Sequence, residues 1–218
     1  MAILGSAELW TDFFPDELIP DILVMVLEVW ADFAKSNHNE HEVHITKRFR
    51  SALEQYKDLK MLPLRIDREV SIDDLGNASE LGRVDLRLTH GYRSDVYFAF
   101  ECKRVNVISE KGKLSSLATE YVENGMMRFI GMDAQYARTL HQGGMIAYVM
   151  DGNVKKAMGA INKKIKECQI KLQMTSHSSL SFSSNVKNDL LKETLHEFSD
   201  RSFTIHHVFL PNCDNPQQ

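Results

Sequence analysis

The stretch that decides the fold of this chain runs from Gly82 to Leu88 (GRVDLRL) and continues, after a turn, from Tyr97 to Lys103 (YFAFECK). Alternating apolar residues in both segments predict two neighbouring strands. The first strand carries Asp85, and the second carries Glu101 and Lys103. Because side chains two residues apart leave the same face of a strand, Glu101 and Lys103 are expected to point the same way. Two carboxylates and an ammonium that meet there would form a site for a divalent cation and a phosphate group.

The composition is that of a globular protein. The chain has 218 residues, of which 43% are hydrophobic and 26% charged, which is enough for one α/β domain with a sizeable core. We expect a single domain over residues 1–218. It would comprise an acidic helical segment (1–36), a core (39–150) and a C-terminal elaboration (151–210).

The chain carries no pattern typical of membrane insertion or secretion. Its longest apolar run, Ile22–Leu27, is too short to cross a bilayer, and Met1–Gly5 lacks the basic start of a secretory signal. Cys102, Cys168 and Cys213 are an odd number and form no CxxC pair, which is typical of reduced thiols. We therefore expect a cytoplasmic protein with no membrane partner.

Helical and strand patterns follow one another along the rest of the chain. Apolar residues at three- and four-residue steps predict helices over 16–35, 39–59, Leu114–Leu140, 153–172 and, more briefly, Leu190–Phe198. Alternating patterns predict strands over Leu64–Ile72, Arg83–Thr89, Val96–Val105, Met145–Met150 and Phe203–Leu210. Asp16 is expected to cap the first helix. The apolar stripe of that helix fits either core packing or pairing with another chain.

The sequence predicts, in order, a helix, three strands, a helix and a strand, with Asp85 on the second strand and Glu101-Cys102-Lys103 on the third. This arrangement resembles the PD-(D/E)XK nuclease superfamily. The matched core runs from about residue 39 to 150, and Val84 stands where the family name has proline. The motif is short, and the strand–hairpin–strand context gives it weight. The resemblance implies a restriction-endonuclease-like α/β fold. In that fold helices flank a central mixed sheet (αβββαβ), here with an N-terminal helix and a C-terminal helix and strand added.

The resemblance also implies a Mg²⁺-dependent nuclease, with Mn²⁺ able to substitute. Asp85, Glu101 and the backbone carbonyl of Cys102 would be metal ligands, because Mg²⁺ prefers hard oxygen donors and keeps several waters. Such an ion assists phosphodiester hydrolysis by neutralising charge and activating water. Lys103 would lie near the attacking water and the scissile phosphate. The Cys102 side chain would point to the opposite face, into the core.

Further site residues are implied on the two core helices. In this family the first helix often carries an extra acidic ligand, for which Glu42 is the candidate because it flanks the buried stripe. Glu40 is expected to face solvent, and an acidic residue in a first turn also simply favours the helix dipole. On the helix after the third strand, Arg128 and Gln135 are second-rank candidates for substrate binding.

Charge is distributed unevenly along the chain, whose net charge is -4. Residues 1–36 hold seven acidic residues and one lysine, and we expect this segment to be a docking or dimer surface. A lysine-rich helix over 153–172 is usually a solvated face, but near a nuclease site it could follow a phosphate backbone. His206 and His207 lie in the last strand and are expected to be structural.

The resemblance favours DNA as the substrate, cut by a homodimer or by the cleavage subunit of a larger assembly such as a prokaryotic anti-phage defence system. One alternative keeps the fold and acts on RNA or a structured junction, since the expected site touches phosphate and not base. The other alternative is a non-catalytic nucleic-acid-binding or regulatory module of the same fold.

Overall fold

The structure is a computed structural model. It describes residues 14–74, 79–91, 95–130, 140–175, 178–199 and 201–213, with the backbone alone over 72–74 and 79–81. Its architecture is α/β, with helices on both faces of a mixed central sheet, as the sequence predicts at this level.

The described chain has seven helical segments, six of which are α-helices or a 3₁₀ turn. These six are a 3₁₀ turn (Asp16–Leu18), α1 (Ile19–Asp32), α2 (Glu42–Leu59), α3 (Ala118–Tyr121), α4 (Met127–Ile130) and α5 (Val154–Glu167). A π-helical segment, Val122–Met126, joins α3 directly to α4.

The strands of the described chain form one large sheet and one small hairpin. They are β1 (Leu64–Asp74), β2 (Ser79–His90), β3 (Tyr97–Val105), β4 (Val107–Ile108), β5 (Leu114–Ser115), β6 (Gln142–Val149), β7 (Ser181–Phe182), β8 (Leu191–Glu197) and β9 (Ser202–Pro211). The large sheet has the order β1-β2-β3-β6-β9-β8-β7, and β4 pairs with β5 alone. Neighbours are antiparallel except β3–β6 and β6–β9, which are parallel. The parallel pairs place β3 and β6 at the centre, where both faces are covered.

Each face of the sheet has its own hydrophobic core. Side chains of β3 alternate between them: Phe98, Phe100 and Cys102 pack with α1 and α2. Tyr97, Ala99 and Val105 pack on the other face with the α3–α4 segment and α5. The buried Cys102 side chain therefore lies on the face opposite to Glu101 and Lys103, as expected from the period of a strand.

The apolar stripe of α1 is used for core packing. Ile22, Met25, Val26 and Trp30 are almost fully buried against α2 and the sheet. The Trp30 indole also donates a hydrogen bond of 2.8 Å to the carbonyl of Pro211 in β9. This stripe is therefore not available to another chain. The expectation that Asp16 caps the helix is wrong. Asp16 lies inside the preceding 3₁₀ turn, and no side chain caps α1.

The structure corrects the prediction of a short helix over Leu190–Phe198. The segment is strand β8, and it pairs with β9 from Leu191↔Val208 to Glu197↔Ser202. Thr194 and His196 are buried while Leu195 is half exposed, so burial follows a period of two. The helix-like spacing of leucines in this short stretch is overridden by pairing with β9.

The helix predicted over Leu114–Leu140 begins later than expected. Leu114 and Ser115 form β5, and the helical path starts only at Ala118. The segment Val122–Met126, which contains Gly125, is π-helical, so the hydrogen-bond ladder widens there without ending the helix. Residues 131–139 lie outside the described chain.

No helix among the described residues combines the length and the apolar character needed to span a bilayer.

Candidate active site

Asp85 lies at the point where two central strands separate. The β2–β3 ladder runs from Thr89↔Tyr97 to Leu86↔Phe100 and ends there, although both strands continue. One residue further, the Asp85 carboxylate (Oδ2) accepts a hydrogen bond of 2.7 Å from the backbone N–H of Cys102. The Asp85 carboxylate thus accepts the hydrogen bond that a backbone carbonyl of β2 would accept in a continued ladder. The gap between the strands leaves room for other charged groups.

The Lys103 ammonium lies at the centre of the charged groups predicted from the sequence. Glu101 and Lys103 leave the same face of β3, as expected. The Lys103 Nζ atom lies 2.7 Å from Glu101 Oε1, 2.9 Å from the Cys102 carbonyl oxygen, 3.3 Å from Glu42 Oε1 and 4.0 Å from Asp85 Oδ2. Four separate oxygen donors therefore surround one positive charge.

Glu42 reaches this group because it is the first residue of α2. Its second oxygen, Oε2, accepts a hydrogen bond of 2.8 Å from the backbone N–H of Arg104. Glu40 precedes the helix, and its side chain is partly buried, with 18% exposure, and does not face solvent as expected. It forms an ion pair of 2.8 Å with Arg48, whose hydrogen bond lowers the pKa of the Glu40 carboxyl. Of the two acidic candidates, the structure brings only Glu42 to Lys103.

Arg128 contacts the same cluster from the opposite side. Its Nη1 atom lies 3.1 Å from Glu101 Oε1 and 3.2 Å from Glu101 Oε2, and it donates to the carbonyl of Arg83 at 3.1 Å. Arg128 is on α4, directly after the π-helical segment. Gln135, the other second-rank candidate, lies outside the described residues.

Burial determines the charge state of Glu101. Its side chain has no solvent exposure, and desolvation, followed by the nearby charge of Asp85, raises the pKa of its carboxyl to about 7. The charges of Lys103 and Arg128 oppose this shift only in part. For Lys103, burial lowers the pKa of the ammonium, but the carboxylates of Glu101, Glu42 and Asp85 outweigh it and raise the pKa above its usual value. Lys103 is therefore charged at neutral pH.

The donor set has the chemistry of a hard-cation site. As the side chains stand, no group of three or more His, Cys, Asp and Glu residues in the described chain is arranged to hold a metal ion. The geometry shows a reason, because the Lys103 ammonium takes the central position. Its partners are three carboxylates and one carbonyl, which are the oxygen donors that Mg²⁺ accepts. These oxygen atoms are therefore of the type that a divalent cation binds, around a position that the Lys103 ammonium occupies.

A cavity of about 370 Å³ opens beside the cluster. Most of its lining residues are polar or charged, and they lie at the start of α2, at the end of β3 and along the α3–α4 segment: His41, Glu42, Val43, Lys103, Arg104, Leu117, Glu120, Asn124 and Arg128. The sequence analysis assigns no role to Arg104 or Asn124, which lie on separate elements. The volume lies within the ~300–1,000 Å³ range of ligand pockets.

Two histidines of β9 lie on opposite faces, as expected for consecutive residues in a strand. His207 is fully buried and bonds the hydroxyls of Tyr121 and Thr194, each at 2.9 Å. Thr194 in turn contacts His196 at 2.8 Å. Burial lowers the pKa of His207 well below its usual value, so this network stays neutral. Its role is to satisfy polar groups inside the core.

No family model, curated protein or solved structure matches this chain. The chemistry of the site is therefore inferred from its own geometry.

Proposed function

We propose that this protein is a Mg²⁺-dependent nuclease that hydrolyses phosphodiester bonds, with DNA as the favoured substrate and a core of the restriction-endonuclease-like type. One observation carries the proposal. Glu42, Asp85, Glu101 and the Cys102 carbonyl, predicted as metal ligands, all surround the Nζ atom of Lys103. The chain order α2, β1–β3, the α3–α4 segment and β6, with the short β4–β5 hairpin after β3, supports this assignment of the core.

The residues of the cluster divide into two roles under this proposal. Glu42, Asp85, Glu101 and the Cys102 carbonyl would hold the metal. When bound, Mg²⁺ supplies charge neutralisation at the phosphate and activation of water. Lys103 leaves the central position and donates to the phosphate or to the attacking water, where it stabilises negative charge that develops during hydrolysis.

Arg128 contacts Glu101 and also lines the cavity. Its guanidinium contacts both oxygens of Glu101, so it fixes the orientation of a carboxylate that burial would otherwise neutralise. It also lines the cavity beside the cluster, where it adds positive charge for a phosphate group. Its role is therefore to position Glu101 and to attract the substrate.

A purely structural ion pair is a poor account of this cluster. Exposed pairs contribute less than ~1 kcal/mol, whereas Glu101 is fully buried beside a second carboxylate. Such burial costs stability unless every charge is compensated. A costly group of perturbed charges next to an open cavity is typical of a functional site.

The proposal is tested by incubating the protein with plasmid, linear duplex, single-stranded DNA and RNA in Mg²⁺, Mn²⁺ or EDTA. We expect cleavage with either metal and none in EDTA. Glu101→Gln and Lys103→Met should each reduce the cleavage rate at least ~100-fold, as for removal of a group that stabilises the transition state. The substrate that is cut distinguishes DNA from RNA.

Calorimetric titration with Mn²⁺ distinguishes the metal-binding role of Glu101 from the role of Lys103 toward the phosphate or the attacking water. Glu101→Gln should weaken metal binding, whereas Lys103→Met should keep or strengthen it, because the competing ammonium is gone. Glu197→Gln and Lys187→Met change exposed residues away from the cluster and serve as matched controls. Cleavage that persists in both site variants would contradict the proposed function. Nucleic-acid binding without metal-dependent cleavage in the wild type would favour the non-catalytic alternative.

The proposal also assigns a partner to the acidic surface of α1. The exposed side of α1 carries Asp21, Glu28 and Asp32, and Asp16 and Glu17 precede it. Phosphate would be repelled from this acidic surface, so we assign it to contact with protein. A second copy of the chain, or a larger assembly such as an anti-phage defence complex, would then dock there.

A further inference from the structure

The outward face of α5 carries a stripe of lysines. The buried side of this helix consists of Ala157, Ile161 and Ile165, which pack into the core on the Glu101 side of the sheet. Four exposed lysines lie on the other side, namely Lys155, Lys156, Lys163 and Lys166. At about 100° per residue they fall within an arc of roughly 100° centred nearly opposite the buried residues. We call these four residues the lysine face.

The charges of the lysine face are not neutralised by neighbours in the described chain. None of the four takes part in an ion pair there, whereas Lys164, on the flank of the helix, bonds Glu123 at 2.7 Å. Gly159 lies in the middle of the face, and a Cβ atom added there would meet nothing within 4 Å. The surface is therefore open and positively charged.

The lysine face begins at the same end of the sheet as the candidate active site. The Asn106 side chain, three residues after Lys103, donates to Asp151 Oδ1 at 3.0 Å and to the Asn153 carbonyl at 3.3 Å. These contacts tie the start of α5 to the end of β3. The ion pair between Lys164 and Glu123 joins α5 to the π-helical segment. Asn124, which follows Glu123 within that segment, lines the cavity.

We propose that the lysine face binds the sugar-phosphate backbone of a nucleic acid and holds the polynucleotide across the candidate active site. This inference rests on the proposed function and names the surface that the substrate follows. From Lys155 to Lys166 the helix rises about 16 Å, at 1.5 Å per residue. A duplex carries a negative charge every ~1.7 Å of its axis, so the face lies opposite several phosphates.

The chemistry of the lysine face predicts binding that does not depend on base sequence. Lysine ammonium groups are point charges on flexible stems, which suit phosphate oxygens and not the edges of bases. The helix α1, whose exposed side is acidic, packs on the opposite face of the sheet, with the core that contains α2. The lysine face and the acidic surface therefore lie on opposite faces of the sheet.

The test measures binding in EDTA, where cleavage cannot occur, by fluorescence anisotropy over a series of KCl concentrations. The probes are one labelled sequence as duplex DNA, single-stranded DNA and RNA. The test variant carries Lys155→Gln, Lys163→Gln and Lys166→Gln. The matched control carries Lys47→Gln, Lys60→Gln and Lys187→Gln, which are exposed elsewhere and change the net charge equally. Circular dichroism melts check that both variants fold.

We expect the α5 variant to bind at least ~10-fold more weakly at low salt, and the control less than ~2-fold. The slope of log K against log salt should fall by about 2–3 in the α5 variant, because each lost phosphate contact removes roughly 0.9. The probe that shows the largest change identifies the kind of nucleic acid.

The outcomes separate this inference from the proposed function. Unchanged binding by the α5 variant, with cleavage lost in the Glu101 and Lys103 variants, would overturn the lysine face alone. Weakened binding without any metal-dependent cleavage would support the lysine face and overturn the nuclease proposal. Equal losses in the α5 and control variants would show a bulk charge effect and contradict the inference. No binding of the wild type to any of the three probes at low salt would likewise overturn the lysine face.

Discussion

At the scale of single residues, the surroundings favour the charged form of Lys103 and the neutral form of Glu101. The ammonium of Lys103 is kept charged by three carboxylates, although burial alone would lower its pKa. The carboxylate of Glu101 is pushed toward its neutral form by burial, although Lys103 and Arg128 contact it. The cluster therefore holds more negative charge than its surroundings tolerate easily, and a bound cation would relieve this.

The raised pKa of Glu101 predicts a specific dependence of stability on pH. The folded carboxyl titrates at about 7, against an ordinary value of 4.5, so the folded state binds more protons between these values. Folding stability should therefore fall as pH rises from about 4.5 to about 7, and the penalty is complete above 7. Glu101→Gln removes the effect. The wild type should lose roughly 2–3 kcal/mol relative to Glu101→Gln between about pH 5 and pH 8.

Urea unfolding in EDTA at several pH values measures this difference. Glu197→Gln, which makes the same substitution at an exposed position of β8, is the matched control. A difference between the wild type and Glu101→Gln that does not change with pH would show that Glu101 titrates as an exposed carboxyl does.

At the scale of elements, two irregularities create the site. The β2–β3 ladder stops at Leu86↔Phe100, which lets the Asp85 side chain take the N–H of Cys102. The π-helical segment between α3 and α4 precedes Arg128, which reaches Glu101. Departures of this kind from regular strand and helix geometry are frequent at functional sites.

Close packing of the central strands makes Gly144 of β6 sensitive to substitution. A Cβ atom there would lie 2.2 Å from two ring atoms of the buried Phe100, on the neighbouring strand. Gly144→Ala should therefore reduce the free energy of unfolding by about 2–3 kcal/mol. Gly159→Ala is the matched control, because open space surrounds that helical position. It should add about 0.5–1 kcal/mol.

Urea unfolding of the two alanine variants measures both effects. Equal stability of Gly144→Ala and the wild type would mean that Phe100 moves aside without cost, against the packing described for β3.

At the scale of the whole molecule, the sheet separates two surfaces of opposite character. The α1 side exposes carboxylates, and the α5 side exposes the lysine face. The cavity lies where the ends of α2 and β3 meet the α3–α4 segment. Under the proposed function, a polyanion would approach the lysine face, and the acidic surface would contact protein.

Metal binding should stabilise the whole fold, since the cluster joins α2, β2, β3 and α4. A ligand at 100 times its Kd adds about 2.7 kcal/mol. For a chain of 218 residues, 1 kcal/mol raises Tm by about 2–4 °C. We therefore expect saturating Mg²⁺ to raise Tm by about 5–10 °C in a thermal melt. Asp85→Asn should remove most of this rise. The same rise in Asp85→Asn would place the metal elsewhere.

Local pattern was sufficient for much of the fold and for part of the site. Alternation along 64–105 predicts the β1–β3 meander, and the period of a strand places Glu101 and Lys103 together and Cys102 in the core. The helical repeat likewise identifies α1, α2 and α5. These features are local, because the period of a strand or helix determines which side chains share a face.

Only the tertiary structure decided the features that depend on distant segments. Segment 191–197 is a strand because β9 lies beside it, and its own residues do not distinguish a strand from a helix. The contacts of Glu42 with Lys103 and with the backbone of Arg104 follow from the packing of α2 beside the end of β3. The position of the Lys103 ammonium among four oxygen donors follows from packing, because no local pattern specifies where strands separate or what fills the gap.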